Sequence, residues 1–210
     1  AYVNYGKLKV AARIIISFWG LRLSFWKDLN VSRETFSRLE AYKDTLLLWN
    51  SKVNLISVKS ADDVWFRHFL DSAQIFKNVT EADRHILDMG SGGGLPGLVL
   101  AIISKEKYPS LKITLVEADK RKAAFLQEIV RTQRLNSAVI PERIEKVPIL
   151  GADIVTARAL APLNVLLGYA YRHIKNNGRG IFLKGVSYNK EVEEALDYWN
   201  FNIKVDASIT

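Results

Sequence analysis

A chain of 210 residues, 49% hydrophobic and 25% charged, can build one α/β domain with a sizeable core plus a small appendage. It has no cysteine, which excludes a disulfide framework, a thiolate zinc site and every mechanism with a cysteine nucleophile, and which fits a reducing cytoplasm. Its 30 Lys and Arg against 22 Asp and Glu give a net charge of +8, which suits a polyanionic partner and equally a basic enzyme solvated by its lysines.

The one membrane-like stretch, Ile14 to Leu21, is far shorter than the roughly 20 residues a spanning helix needs. Lys7, Lys9 and Arg13 precede it as in a signal peptide, but no small-residue cleavage pattern follows. It reads as an amphipathic or partly buried segment, and residues 1–28 take no functional reading. From Ser32 to Trp49, apolar residues fall at helical spacing (Phe36, Leu39, Tyr42, Leu46, Trp49), with Ser32 as N-cap. A second helix is expected after Ser60, with Asp63 completing a capping-box-like pair, and running to about Phe76.

After Asp83 the pattern changes to short apolar runs alternating with amphipathic ones. Strands are expected at 86–89, 111–117, 138–140, 153–157, 180–183 and 201–205. Helices are expected at 97–104, 120–135 (capped by Asp119), 162–174 and 191–199, with Asn176-Asn177-Gly178 as a turn. This alternation predicts βαβ units, a doubly wound parallel sheet with helices on both faces, and a ligand site beyond the carboxyl ends of the strands.

The most informative run is Asp88-Met89-Gly90-Ser91-Gly92-Gly93-Gly94-Leu95-Pro96-Gly97. A strand ends, glycines let the backbone turn and a ligand approach it, and a helix N-terminus offers unpaired N–H groups. Gly92, Gly94 and Gly97 also satisfy the G-x-G-x-x-G spacing of a dinucleotide fold. Three features favour S-adenosylmethionine over a pyrophosphate. Asp88, at the strand end, is placed to reach the ligand's amino-acid part. Pro96 removes an N–H where a pyrophosphate needs one. Glu117 ends the second strand, where an acid can accept two ribose hydroxyls, although NAD would satisfy that feature as well.

With Val116-Glu117-Ala118-Asp119-Lys120-Arg121-Lys122, Thr156-Ala157-Arg158-Ala159-Leu160-Ala161-Pro162-Leu163 and Lys184-Gly185, that loop resembles the bacterial 16S ribosomal RNA guanine-N7 methyltransferases, formerly the glucose-inhibited division protein B family. Leu48-Trp49-Asn50, Asn54-Leu55 and Arg67-His68-Phe69-Leu70-Asp71-Ser72 extend the resemblance over roughly residues 30 to 206. It implies a class I, Rossmann-like methyltransferase domain over 83–210, an N-terminal helical region over 1–82 and S-adenosyl-L-methionine as cofactor. Gly90 and Leu95 match cofactor-loop contacts, and Gly92 lies between them. Ile144-Glu145 match the pair along the adenine, and Arg158 matches a cofactor contact near the reacting methyl group. The implied partner is 16S ribosomal RNA or the small ribosomal subunit, with no membrane and no metal. Residues 1–28 have no counterpart in the resemblance. The fold is expected to continue beyond Thr210 into a last antiparallel strand, leaving an exposed slot beside the fifth and sixth strands.

Guanine N7 has a lone pair and no proton, so methylation there needs alignment and exclusion of water rather than a general base. The sequence agrees: it has neither an Asn-Pro-Pro-Tyr type motif nor a cysteine. His68, His85 and His173 lack metal-ligand spacing; His68 is expected to cap or pack the helical region, the other two to lie at the surface. Lys120, Arg121, Lys122, Arg131 and Arg134 are candidate RNA contacts or a solvated face, and Trp49, Trp65 and Phe66 read as core before base-stacking platforms. Two other functions stay open on the residues alone: an NAD-linked oxidoreductase and a non-catalytic RNA-binding or assembly protein.

Overall fold

The computed structural model describes residues 30–210 and, of the first 29, the backbone of two strands. The sheet has eight strands: β1 (Tyr2–Tyr5), β2 (Leu8–Ser17), β3 (His85–Met89), β4 (Lys112–Val116), β5 (Ser137–Ile140), β6 (Ala152–Arg158), β7 (Ile174–Leu183) and β8 (Ile203–Ser208). The order β7-β6-β3-β4-β5 is parallel throughout. The chain enters this sheet at its middle, moves outward through β4 and β5, then returns to the other side of β3 as β6. The switch point therefore lies between β3 and β6, where strand ends diverge and leave a crevice.

Strand β2 pairs in parallel with both β7 and β8. The expected slot beside those strands is thus filled by residues from the segment that the sequence left without a reading. An extended backbone presents N–H and C=O groups on both edges, so any strand of matching length can close such a gap.

Alternation along each strand divides the core in two. Ile86, Ile113, Ile154 and Ile181 face the helices α4 (Gly97–Lys107) and α5 (Lys120–Gln133). Leu87, Val116, Val155 and Phe182 face α6 (Leu163–His173) and α7 (Tyr188–Leu196). Helix α1 (Arg33–Asn50) lies on the first of these faces, where its Leu39, Tyr42 and Leu46 are fully buried in the same core as the strand residues. Arg38 and Gln133 hydrogen-bond reciprocally, side chain to main chain, across α1 and α5 at 3.2 and 3.0 Å. Trp49 and Trp65 pack against this core, Trp65 stacked on Phe36 with ring centres 4.8 Å apart.

The expected second helix is instead broken. It comprises α2 (Val58–Ala61), a π-helical stretch Trp65–Leu70, α3 (Asp71–Ala73) and a 3₁₀ turn Gln74–Asn78. Ser60 sits inside its first turn and donates to the Ser57 carbonyl rather than capping a helix start. The wide π turn carries His68, Phe69 and Leu70, all three buried. Asn176-Asn177-Gly178 does not break the chain into a turn: it is a bulged part of β7, with a register shift opposite Ala152 and Ile154. A Cβ on Gly178 would lie 2.9 Å from two main-chain oxygens of β6, so only glycine allows that approach. His173 is fully buried, not at the surface, and its Nε2 meets the Ile144 carbonyl at 3.3 Å.

Glu106 ties the helical region to the sheet. Its carboxylate accepts from the Ser32 N–H (3.0 Å), the Ser32 hydroxyl (2.8 Å) and the Thr35 hydroxyl (2.5 Å). Partial burial opposes ionisation, but these bonds and neighbouring Lys107 outweigh it and bring the pKa to about 2. A lowered folded-state pKa stabilises above the unfolded-state value, and that contribution is lost as pH falls through the folded one. We predict that Glu106→Gln costs about 1 kcal/mol at neutral pH, a Tm drop of about 2–4 °C. Calorimetric scans from neutral pH down towards 2 should show the gap to the parent closing.

Candidate active site

The glycine loop after β3 turns through three left-handed residues: Gly90 (φ +65°), Gly92 (+54°) and Gly94 (+89°). A Cβ at Gly90 would lie 2.4 Å from Leu160 Cδ1, so glycine here also lets the loop after β6 close over the first loop. Asp88 organises the turn from below. It is fully buried; its Oδ2 accepts from the Gly97 N–H (3.1 Å) and its Oδ1 from the Thr156 hydroxyl (2.9 Å). Burial raises its pKa to about 6 against the effect of those bonds. The structure therefore corrects one expectation: Asp88 does not reach into the cavity. On the pleat it points to the face carrying α4, so its carboxylate holds the helix start rather than a ligand.

Above the loop lies a cavity of about 570 Å³ at the switch point. Gly90, Gly92, Leu95, Glu117, Ile144, Glu145 and Arg158, all named from sequence, line it. Glu117 Oε2 accepts from the Gly92 N–H and its Oε1 from the Asp119 N–H, both at 2.8 Å, which fixes the carboxylate at the strand end. Ile144 is buried and forms an apolar wall. Glu145 is held at the rim: Tyr169 donates to its Oε1 (2.6 Å), and Arg172 donates to its carbonyl. Of the candidate cations after β4, Lys122 lines the cavity, whereas Arg121 pairs with Asp119 and Arg131 with Glu128.

The helical region completes the site through residues that the sequence reading missed. Leu55 and Ile56 line the cavity, and both their N–H groups bond to Asn50 Oδ1, at 2.7 and 2.9 Å. Tyr42 donates to the Gly93 carbonyl at 2.5 Å from beneath and stacks on Phe69. His68 lines the cavity as well, and its Nδ1 lies 2.6 Å from Arg158 Nη2. Arg158 also donates to the Arg67 carbonyl (2.9 Å) and pairs with Asp71 (3.4 Å). Burial, then Arg158, then Arg67, push the His68 pKa down to about 4, so the ring is neutral and accepts from the guanidinium. The only sequence signal for this clamp was the run Arg67-His68 with Asp71 three residues on, which puts His68 and Asp71 on adjoining positions of one helical face.

A second cavity of about 410 Å³ adjoins the first and shares Arg158, Ala159, Leu160 and Ala161 with it. Its remaining wall includes Asp71, Lys184 and Glu191. The arrangement can thus hold two reactants either side of one seam: a nucleoside-type ligand over the glycine loop and an acceptor beyond Arg158. Among the described residues no group of three or more His, Asp or Glu side chains could hold a metal ion, and no helix is long and apolar enough to cross a membrane.

Residues 35–210 match the family model described as rRNA small subunit methyltransferase G (GidB). The chain belongs to that family. It is 46% identical over 182 residues to ribosomal RNA small subunit methyltransferase G of Ruegeria pomeroyi, covering 87% of this chain and 89% of the relative. The relative of the same name from Paramagnetospirillum magneticum is 44% identical over 180 residues, covering 86% and 85%. Among solved structures, a ribosomal protein L11 methylase from Lactobacillus delbrueckii subsp. bulgaricus superposes with a TM-score of 0.49 at 16% identity, over 60% of this chain and 64% of that one. Family membership makes S-adenosylmethionine the cofactor and removes the NAD-linked reading.

The Tyr42–Gly93 bond makes the cofactor loop depend on the helical region. Tyr42→Phe leaves a buried carbonyl without its donor, a cost of about 1–3 kcal/mol. Calorimetric titration with S-adenosylhomocysteine should show affinity falling severalfold, while far-ultraviolet circular dichroism shows unchanged helix content.

Proposed function

We propose that the chain transfers a methyl group from S-adenosylmethionine to N7 of one guanine in 16S ribosomal RNA, on the RNA or the small ribosomal subunit, in the cytoplasm. The observation that supports this reading most is the placing of Arg158 at the seam between two adjoining cavities, in a chain of the rRNA small subunit methyltransferase G family. The net charge of +8 favours approach to a polyanion.

The cavity over the glycine loop fits the cofactor. Glycine at position 92, where a Cβ would meet nothing nearer than the Gly90 oxygen at 3.9 Å, leaves the main chain open to the ligand's amino-acid part, and Leu95 lines that end. Glu117 would accept ribose hydroxyls with the lone pairs left over from its two N–H bonds. Ile144 would flank the adenine, with Glu145 at its edge. When bound, S-adenosylmethionine supplies a sulfonium methyl group as electrophile. The acceptor N7 brings its own lone pair and carries no proton, so no side chain needs to act as base. The residues' task is to bring N7 into line and to keep water out. Arg158 serves both ends: clamped by His68, Asp71 and the Arg67 carbonyl, it holds one cationic edge at a fixed point of the seam.

Arg158→Lys keeps a cation but loses the planar fork that meets three acceptors at once. Methyl transfer to small subunits lacking the modification should fall about 100-fold, through kcat more than through cofactor affinity. Full activity in that variant would exclude a role for Arg158 at the reacting centre.

A further inference from the structure

The second cavity is walled by a charged pair that the mechanism above leaves unused. Lys184, at the end of β7, is almost wholly buried; its Nζ donates to the Ala161 carbonyl at 2.8 Å and to Glu191 Oε2 at 2.6 Å. Glu191, in the first turn of α7, uses the same Oε2 to accept the Leu163 N–H at 2.8 Å. An ammonium has three protons, so Lys184 has one left. Glu191 Oε1 accepts from none of the described residues. Both residues line the cavity, so a fixed donor and a fixed acceptor stand side by side there. The cavity's other surfaces include Leu160, Pro162 and Leu183, which are apolar and suited to the faces of a flat ring.

A purine presents a matching edge. In guanine an acceptor, O6, adjoins a donor, N1–H; in adenine a donor, the 6-amino group, adjoins an acceptor, N1. Both bases carry the same N7 lone pair, so the reaction itself does not tell them apart. Discrimination must come from the groups at C6 and N1, as enzymes that act on an extruded base read its Watson–Crick edge and stack its faces. We infer that the second cavity is the acceptor-base pocket and that the Lys184–Glu191 pair selects guanine, Lys184 donating to O6 and Glu191 Oε1 accepting N1–H. N7 then faces the shared wall at Arg158 and Ala159. The inference rests on the guanine-N7 reading above.

Glu191→Gln isolates the claim. The amide oxygen can still accept from Leu163 and Lys184, while the group turned to the cavity changes from acceptor to donor. Small subunits would be reconstituted with 16S RNA transcripts carrying guanine or adenine at the acceptor position. The parent should prefer guanine. The variant should lose about tenfold in kcat/KM on guanine and about tenfold of that preference, the effect of misreading one paired base edge. Its dissociation constant for S-adenosylhomocysteine should match the parent's. An unchanged preference overturns the inference, and so does a loss equal on both bases or accompanied by lost cofactor binding, which would make the pair a helix cap only. A parent that methylates no guanine N7 overturns the underlying reading instead. A measurement without any variant checks the same edge. Guanosine should inhibit the parent competitively against RNA, whereas 1-methylguanosine, lacking N1–H, should not; equal inhibition, or none by either, contradicts the pocket.

Discussion

The buried carboxylate of Asp88 bonds at once to the first N–H of α4 and to the Thr156 hydroxyl on β6. It therefore joins the two strands flanking the switch point and fixes where the glycine loop begins. Its surroundings raise its pKa, so burying this charge has a cost, and the two donors are what make the position tolerable. Everything above it inherits that geometry: Gly90 meets Leu160, Gly92 reaches Glu117, and Arg158 emerges two residues beyond Thr156 into the crevice.

The helical region is part of the same object. One hydrophobic core includes Leu39, Tyr42 and Phe69 together with Ile86, Leu98 and Ile113. Tyr42 supports the loop from beneath, Asn50 shapes the Leu55-Ile56 turn, and His68 with Asp71 pins Arg158 from the side. The neutral state of His68 is consistent with this, because a protonated ring beside a guanidinium would repel it.

Much of the parallel sheet was legible from its sequence because each strand is a short apolar run closed by turn chemistry; β3, β4, β5 and β6 each fall within a residue or two of the expected bounds. The cavity lining was legible in two ways: strand-end geometry pointed to Glu117, and the family resemblance implied Gly90, Leu95, Ile144, Glu145 and Arg158. Asp88 lay at a strand end too, but the pleat turned it inward, which composition alone does not reveal. The π-helical stretch at Trp65–Leu70 was not legible, since its register is set by which of its aromatic and apolar residues find room in the core. Tyr42, Asn50 and Glu106 act across 51, 5 and 74 residues of sequence, and the long-range partners exist only once the chain has folded. The Asn-Asn-Gly signal in β7 was read as a turn because glycine at a bulge and glycine at a turn look alike until a neighbouring strand is in place.

The central claim is that this site methylates guanine N7 in ribosomal RNA. The cationic ring of N7-methylguanine is reduced by borohydride and the RNA is then cleaved there by aniline, whereas unmodified guanine resists both. The direct measurement is to incubate small subunits lacking the modification with the chain and S-adenosylmethionine, then to map cleavage along the 16S RNA by primer extension. The account predicts one new cut at a single guanine, absent when the cofactor is omitted. Methyl incorporation without cleavage, showing transfer to another atom, or cleavage scattered over many guanines, would contradict it.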